Sequence, residues 1–178
     1  MNYWEKFYQQ EHTLEPTQFA TWIAPSLEKY NQLFDAGCGN GRDSYYLSKF
    51  CDVVGIDRYT TPYSRPHAIF VRGNIENLKY KDNNYILYSR FLFHSIPYRK
   101  VLRIIKNKWD TIIAEFRLEG DKPIIFTNHK RYLINGDRLL KDLVNNGYNI
   151  KLFVSGRGLA KYKNEDPLVG RIVCQRKY

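Results

Sequence analysis

Three glycines on alternate positions, Gly37, Gly39 and Gly41, stand between two carboxylates, Asp35 and Asp57. Glycine takes positive φ readily and lets a ligand approach the backbone closely. Apolar Leu33 and Phe34 precede the acid, and Arg42, Asp43 and Ser44 lead into Tyr45, Tyr46, Leu47 and Phe50 at helical spacing. The stretch reads as a strand, a tight turn and a helix whose first N–H groups face the turn. Gly37, Cys38, Gly39, Gly41 and Arg42 then form a cradle for a small molecule, or else a strand-to-helix turn with no ligand. A second apolar run, Val53 to Ile56, ends in Asp57 and Arg58, with Asp57 twenty residues beyond Gly37. A carboxylate so placed can accept hydrogen bonds from the ribose hydroxyls of an adenosine. The dinucleotide fingerprint needs its third glycine at position 42, where this chain has Arg, and that opposes a nicotinamide cofactor.

With these residues the sequence resembles the class I S-adenosylmethionine (SAM) methyltransferases. Their first motif is (acid)-x-G-x-G-x-G and their second is an acid closing the second strand. Asp35, Gly37, Gly39, Gly41 and Asp57 match both. The resemblance implies SAM as cofactor. It also implies that position 74 takes the adenine amino group and that Ile75 packs on the ring. The family commonly has Asp where this chain has Asn74, but an amide carbonyl accepts from an amino group as well. Nucleic-acid amino methyltransferases carry an (Asp/Asn)-Pro-Pro-(Tyr/Phe) run after the fourth strand. This chain has none, which argues against base-amino methylation. The segments YSRFLFHSI (88–96), NHKRYLI (128–134) and GRGLAKYKNEDPLVGRIV (156–173) look like those of small stand-alone methyltransferases found beside surface-carbohydrate biosynthesis enzymes. That narrower likeness implies a sugar or sugar-linked hydroxyl as acceptor.

A hydroxyl acceptor benefits from a base, worth roughly 10²–10⁴-fold in rate. His94 follows the fourth strand and titrates near neutrality, so it is one candidate; the other reading is a helix-start histidine bonded to backbone. His129 is a second candidate, and with Arg131 it could instead hold an anionic group or simply lie in a solvated loop. Glu115 and Arg117 end the fifth strand and, with Arg131, are the expected substrate contacts. Glu165 and Asp166 are acids that could act as a base or form a turn partnered by Arg157.

Strands and helices must bring these groups together. The expected strands are 32–37, 52–57, 68–71, 85–91 and 110–117, followed by a hairpin over 149–155 and 169–175. Helices are expected at 42–50 and 98–108 and from Asp137, taken as an N-cap, to Asn146-Gly147. Leu139, Leu140, Leu143 and Val144 should face the sheet. The loop RYTTPYSRPH leaves little room for a helix between the second and third strands. The expected fold is α/β: a Rossmann-like class I methyltransferase sheet, mostly parallel with a C-terminal antiparallel hairpin, helices on both faces. Parallel doubly wound sheets hold ligands at the C-terminal strand ends, so Tyr88, Ser89 and Arg90 should meet the methionine half of the cofactor. Residues 1–30 carry Tyr3, Trp4, Phe7 and Tyr8 at helical spacing, then Thr17 as a cap for Phe19, Trp22 and Ile23. They are either packing helices or a cofactor lid.

A chain of 178 residues suits one domain, 1–178. Its net charge of +10 suggests an anionic partner. The basic residues are scattered, which favours a small anionic or sugar-linked substrate over nucleic acid. Three cysteines without a metal-ligand spacing read as reduced thiols of a cytoplasmic protein with no bound metal. No apolar run approaches a membrane span. The oligomeric state leaves no trace in the sequence.

Overall fold

The structure is a computed structural model, and it describes residues 3–9, 13–27, 32–78, 85–107, 109–121, 130–162 and 164–177. Seven strands form one sheet: β1 (Gln32–Ala36), β2 (Asp52–Asp57), β3 (Ala68–Arg72), β4 (Tyr85–Arg90), β5 (Thr111–Arg117), β6 (Tyr148–Gly156) and β7 (Val169–Arg176). Their order is β3-β2-β1-β4-β5-β7-β6. The first five are parallel, and β7 runs antiparallel between β5 and β6. Strand order reverses between β1 and β4, which is where a doubly wound sheet opens a crevice.

Alternation along the strands sorts the core into two layers. Phe34, Val54, Leu87 and Ile112 join one cluster. Their neighbours Leu33, Val53, Ile86 and Ile113 join the other. Against the first layer lie α4 (Tyr98–Ile105), through Val101, Ile104 and Ile105, and α5 (Gly136–Asn145), through Leu139 and Leu143. The second layer is closed by α2 (Gln18–Ile23) and α3 (Arg42–Leu47). Burial of the central strands on both faces explains their unbroken apolar runs.

Local signals set most boundaries. Thr17 caps α2, its hydroxyl accepting from Ala20 N at 3.2 Å. Pro25 follows in a 3-10 turn, Ala24–Ser26. The α5 cap is Asn135 rather than Asp137, because the Asn135 side chain accepts from Arg138 N at 2.9 Å. Val144 does not face the sheet as expected: it directly follows Leu143 and is exposed, off the buried Leu139 and Leu143 stripe. Among the described residues no helix is long and apolar enough to cross a membrane.

Candidate functional site

A cavity of about 600 Å³ opens at the C-terminal ends of β1, β2, β4 and β5. The glycine turn forms its floor. Gly37 N donates to Ile56 O at 2.8 Å and Gly41 N to Cys38 O at 2.9 Å, folding the chain back on itself. All three glycines are left-handed, with φ of +77°, +57° and +78°. A side chain there would strain the backbone, and at Gly41 a Cβ would come within 2.8 Å of the Phe70 ring.

Asp57 ties the turn to β2. Its Oδ2 accepts from Gly39 N at 3.2 Å, and its Oδ1 accepts from Tyr59 N at 2.8 Å. A carboxylate has about four acceptor positions, so these bonds leave capacity for hydroxyl donors in the cavity. Asp35, buried beside the turn, accepts from Ser44 Oγ at 2.6 Å. Burial pushes its carboxyl up to about 7, against an ordinary 3.8. Ser44 pulls it back in part, and the nearby Asp43 and Asp57 charges reinforce the rise.

The folded chain therefore holds a proton on Asp35 that the unfolded chain releases near pH 4. That contribution to stability is present at low pH and is lost as pH rises towards 7. Asp35→Asn stays neutral throughout. Chemical denaturation of both proteins should show the wild type losing stability relative to the variant between about pH 4 and about pH 7, with the difference level above that. A constant difference would place the Asp35 carboxyl in an ordinary environment.

Several residues expected from the sequence line the cavity: Gly37, Cys38, Arg42, Arg58, Asn74 and Ile75. Asn74 Nδ2 donates to Glu76 Oε1 at 3.0 Å, which turns its carbonyl oxygen the other way. Glu76 is fixed in turn by Lys100 Nζ at 2.7 Å. Gly39 and Gly41 shape the turn from beneath and are not on the lining. Cys38 reaches it, but burial holds its thiol well above the usual range, which rules out a ready nucleophile. Burial raises the Cys51 thiol to about 11 and that of Cys174 to about 12, and neither forms a disulfide.

Four expectations are corrected. Tyr88 is fully buried and its hydroxyl donates to Asp43 Oδ2 at 2.8 Å, behind the turn. Ser89 is also fully buried and off the lining. Only Arg90, the last residue of β4, clears the strand end and enters the cavity. Glu115 lies beneath it, accepting from Arg90 Nε at 3.1 Å and from Arg171 Nε at 2.8 Å. It holds those cations rather than meeting a substrate. His94 lies in a 3-10 turn, Phe93–Ser95, 2% exposed and off the lining. Its Nδ1 accepts from Arg117 N at 3.1 Å, while its carbonyl accepts from Tyr132 N at 2.7 Å. This geometry fits the backbone-bonded reading and places His94 away from the cavity. His129 lies outside the described residues.

Arg117 and Arg131 do line the cavity. Two residues not among the expected site residues, Lys130 and Tyr132, join them, as does, before β1, the aromatic helix α1 (Tyr3–Gln9) expected as a packing helix or a lid. Tyr8 packs on the glycine turn so closely that a Cβ on Gly39 would lie 2.3 Å from its hydroxyl. The expected lid thus divides in two. The α1 aromatics Tyr3, Trp4, Phe7 and Tyr8 line the cavity, whereas α2 is a core helix with Phe19, Ala20 and Ile23 buried. Helical spacing of aromatics was the signal for α1, but spacing does not say which face of a sheet a helix will cover.

Phe91, directly after β4, adopts φ of +62° although it carries a bulky side chain. Its amide donates to Glu115 O at 2.8 Å, and the Arg90 guanidinium sits 4.2 Å from its ring centre. Non-glycine residues held in this region cluster at functional sites.

No family profile and no curated protein sequence matches this chain. Solved structures do. The chain is similar to 1,6-didemethyltoxoflavin-N1-methyltransferase of Burkholderia thailandensis, solved with S-adenosylhomocysteine. They share 12% identity over 90% of this chain and 77% of that one, with a TM-score of 0.71. It is also similar to magnesium protoporphyrin IX methyltransferase of Synechocystis, again with S-adenosylhomocysteine, at 17% identity, 89% and 80% coverage and a TM-score of 0.66. A SAM-dependent methyltransferase of Methanosarcina mazei matches at 17% identity over 87% of this chain and 96% of that one, with a TM-score of 0.69. At such identities the likeness is one of backbone.

Proposed function

The chain has the class I SAM-dependent methyltransferase fold, and we propose that it is an enzyme of that activity, binding SAM in the cavity and methylating a small molecule. One observation carries this: the Asp57 carboxylate and the left-handed glycine turn meet at the strand-order reversal, on the same cavity. The residues fit the cofactor. Asp57 would accept from the ribose hydroxyls, Asn74 from the adenine amino group, and Ile75 would pack on the ring. Asp35 would accept from the amino group of the methionine half, and the Arg90 guanidinium would face its carboxylate.

When bound, SAM supplies a methyl group already activated on a sulfonium. The chain's task is then placement, for which effective molarities of ~10⁵ M or more are attainable. Tyr8 and its α1 neighbours would exclude water from above. A hydroxyl acceptor loses its proton as the new C–O bond forms. His129, by its place in the sequence, and Glu165, on the cavity wall, are the groups to receive it. We assign the acceptor to small anionic or sugar-linked hydroxyl compounds. The scattered basic residues and the missing proline run support this over RNA.

Incubating the protein with SAM and panels of nucleotide-sugars, glycans, hydroxylated acids and RNA tests the reading by mass spectrometry. The expected result is the gain of one methyl on a small hydroxylated compound, with S-adenosylhomocysteine formed. Methylation of RNA alone would overturn the acceptor class. Absence of SAM binding would overturn the activity itself.

A further inference from the structure

Tyr8 stands where the two halves of the proposed cofactor would meet. Its hydroxyl end rests on the middle glycine of the turn: a Cβ on Gly39 would run into the Tyr8 oxygen and lie 2.7 Å from ring carbon Cε1. The titratable groups that act on Tyr8 are Asp57, Cys38, Arg42 and Arg90. Burial first, and then the Asp57 charge, hold its hydroxyl above the usual range, so the ring is that of a neutral phenol. Of these neighbours, Asp57 is the proposed ribose acceptor and Arg90 the proposed partner of the methionine carboxylate. Tyr8, Asp57 and Arg90 all line the same cavity.

The ring's orientation is set by its own helix. Tyr8 stacks on Trp4, with centroids 6.2 Å apart and planes 25° from parallel, and meets Phe7 edge-on at 5.0 Å. Helix α1 is tied to the end of β3 by a separate contact. Arg72 Nη2 donates to Glu5 Oε1 at 3.3 Å, and Arg72 Nε donates to Arg58 O at 3.2 Å. Replacing the Tyr8 ring therefore leaves the helix another hold on the sheet.

In SAM the sulfur joins the ribose to the methionine chain. A ring beside both Asp57 and Arg90 is therefore beside the sulfur. We infer that Tyr8 presents its ring to the sulfonium and so distinguishes SAM, whose sulfur is cationic, from S-adenosylhomocysteine, whose sulfur is neutral. This rests on the methyltransferase reading and deepens it, by naming the residue that reads the donor's charge. The face of an aromatic ring is electron-rich and attracts cations, quaternary ammonium groups among them. A carboxylate in the same place would attract more strongly, at a cost. Positive charge leaves the sulfur as the methyl departs and the bonding pair returns to sulfur. A strong grip on the sulfonium would be lost in the transition state and would slow the reaction. The ring holds the cation weakly, which favours exchange of product for fresh donor.

Calorimetry with SAM and, separately, S-adenosylhomocysteine reads this contact without any reaction. Tyr8→Leu should lower the ratio of SAM affinity to S-adenosylhomocysteine affinity by about 2- to 30-fold, the range that a cation–π contact corresponds to. Tyr8→Phe keeps the ring face and should keep the wild-type ratio. Pentafluorophenylalanine incorporated at position 8 keeps the ring's outline and reverses the charge of its face, so it should lower the ratio as Tyr8→Leu does. An equal change in both affinities in Tyr8→Leu, in either direction, makes Tyr8 a packing or blocking residue and overturns the inference. An unaltered ratio in the fluorinated protein overturns it too, even where Tyr8→Leu does not fold. Wild-type protein that binds both ligands, with a ratio indifferent to position 8, leaves the methyltransferase reading standing and removes only this role of Tyr8. Wild-type protein that binds neither removes that reading and this inference with it.

Discussion

Asp57→Ala should lower SAM affinity by about 100-fold or more while leaving the fold intact. The ribose hydroxyls lose a charged acceptor, and hydrogen bonds to charged groups contribute roughly 1.5–3 kcal/mol each. Two such bonds correspond to two or more powers of ten in affinity. A second effect adds to the first. Asp57 also accepts from Gly39 N and Tyr59 N, so its loss loosens the turn that should receive the methionine tail. The fold has little reason to fail. Asp57 is the last residue of β2 and half-buried, and the N–H groups it releases can turn to water. Asp57→Asn is predicted to behave more like Ala than like the wild type. One end of the amide must become a donor, and the backbone partners here donate already. Calorimetry with SAM, paired with a circular-dichroism melt, measures both parts. Unchanged affinity in Asp57→Ala would remove the adenosine from this crevice, and the proposed activity with it.

The sequence carried the framework because its signals are local. Left-handed glycines, a threonine cap and strands read by alternation each depend on a few adjacent residues, and the structure keeps them. The site residues divided differently. Arg90, Asp57 and Asn74 sit at or beyond strand ends and reach the cavity. Tyr88 and Ser89 precede the last β4–β5 pair, Arg90–Glu115, and Glu115 lies two residues short of the end of β5; all three are buried. A shift of one or two residues along β4 or β5 therefore decides between cavity and core, at the limit of what pattern alone resolves. His94 failed for another reason. Histidine's ordinary titration range made it attractive as a base, but the Arg117 amide that fixes its Nδ1 is 23 residues away along the chain. Tyr8 was visible only as an aromatic on a helix, since its contact with Gly39 is tertiary.

Glu115→Ala is the substitution expected to damage stability most. In register, Glu115 faces Arg90 on one neighbouring strand and Arg171 on the other, so three adjacent strands carry a plus-minus-plus row. Glu115 is 1% exposed and Arg171 is 8% exposed at the side chain. Removing the shared acid leaves an uncompensated buried cation, which costs about 3–5 kcal/mol. For a chain of this size each kcal/mol shifts Tm by roughly 2–4 °C, so the melt should fall by about 10 °C. Arg171 spreads the damage further. Its guanidinium lies 5.4 Å from the Phe19 ring centre and 5.3 Å from that of Trp22, so a displaced Arg171 also loosens α2 from the sheet. Arg90 suffers less, because it borders the cavity and can turn to water there. Glu115→Gln should lose part of this, keeping the shape and one acceptor but not the charge. Arg171→Leu in the Glu115→Ala background should recover stability, since it removes the stranded cation. Thermal melts of the three variants decide the matter. If Glu115→Ala melts within a degree or so of the wild type yet loses turnover of a methyl acceptor, the carboxylate faces substrate after all. The row of charges would then be a binding surface rather than the clasp joining β4, β5 and β7.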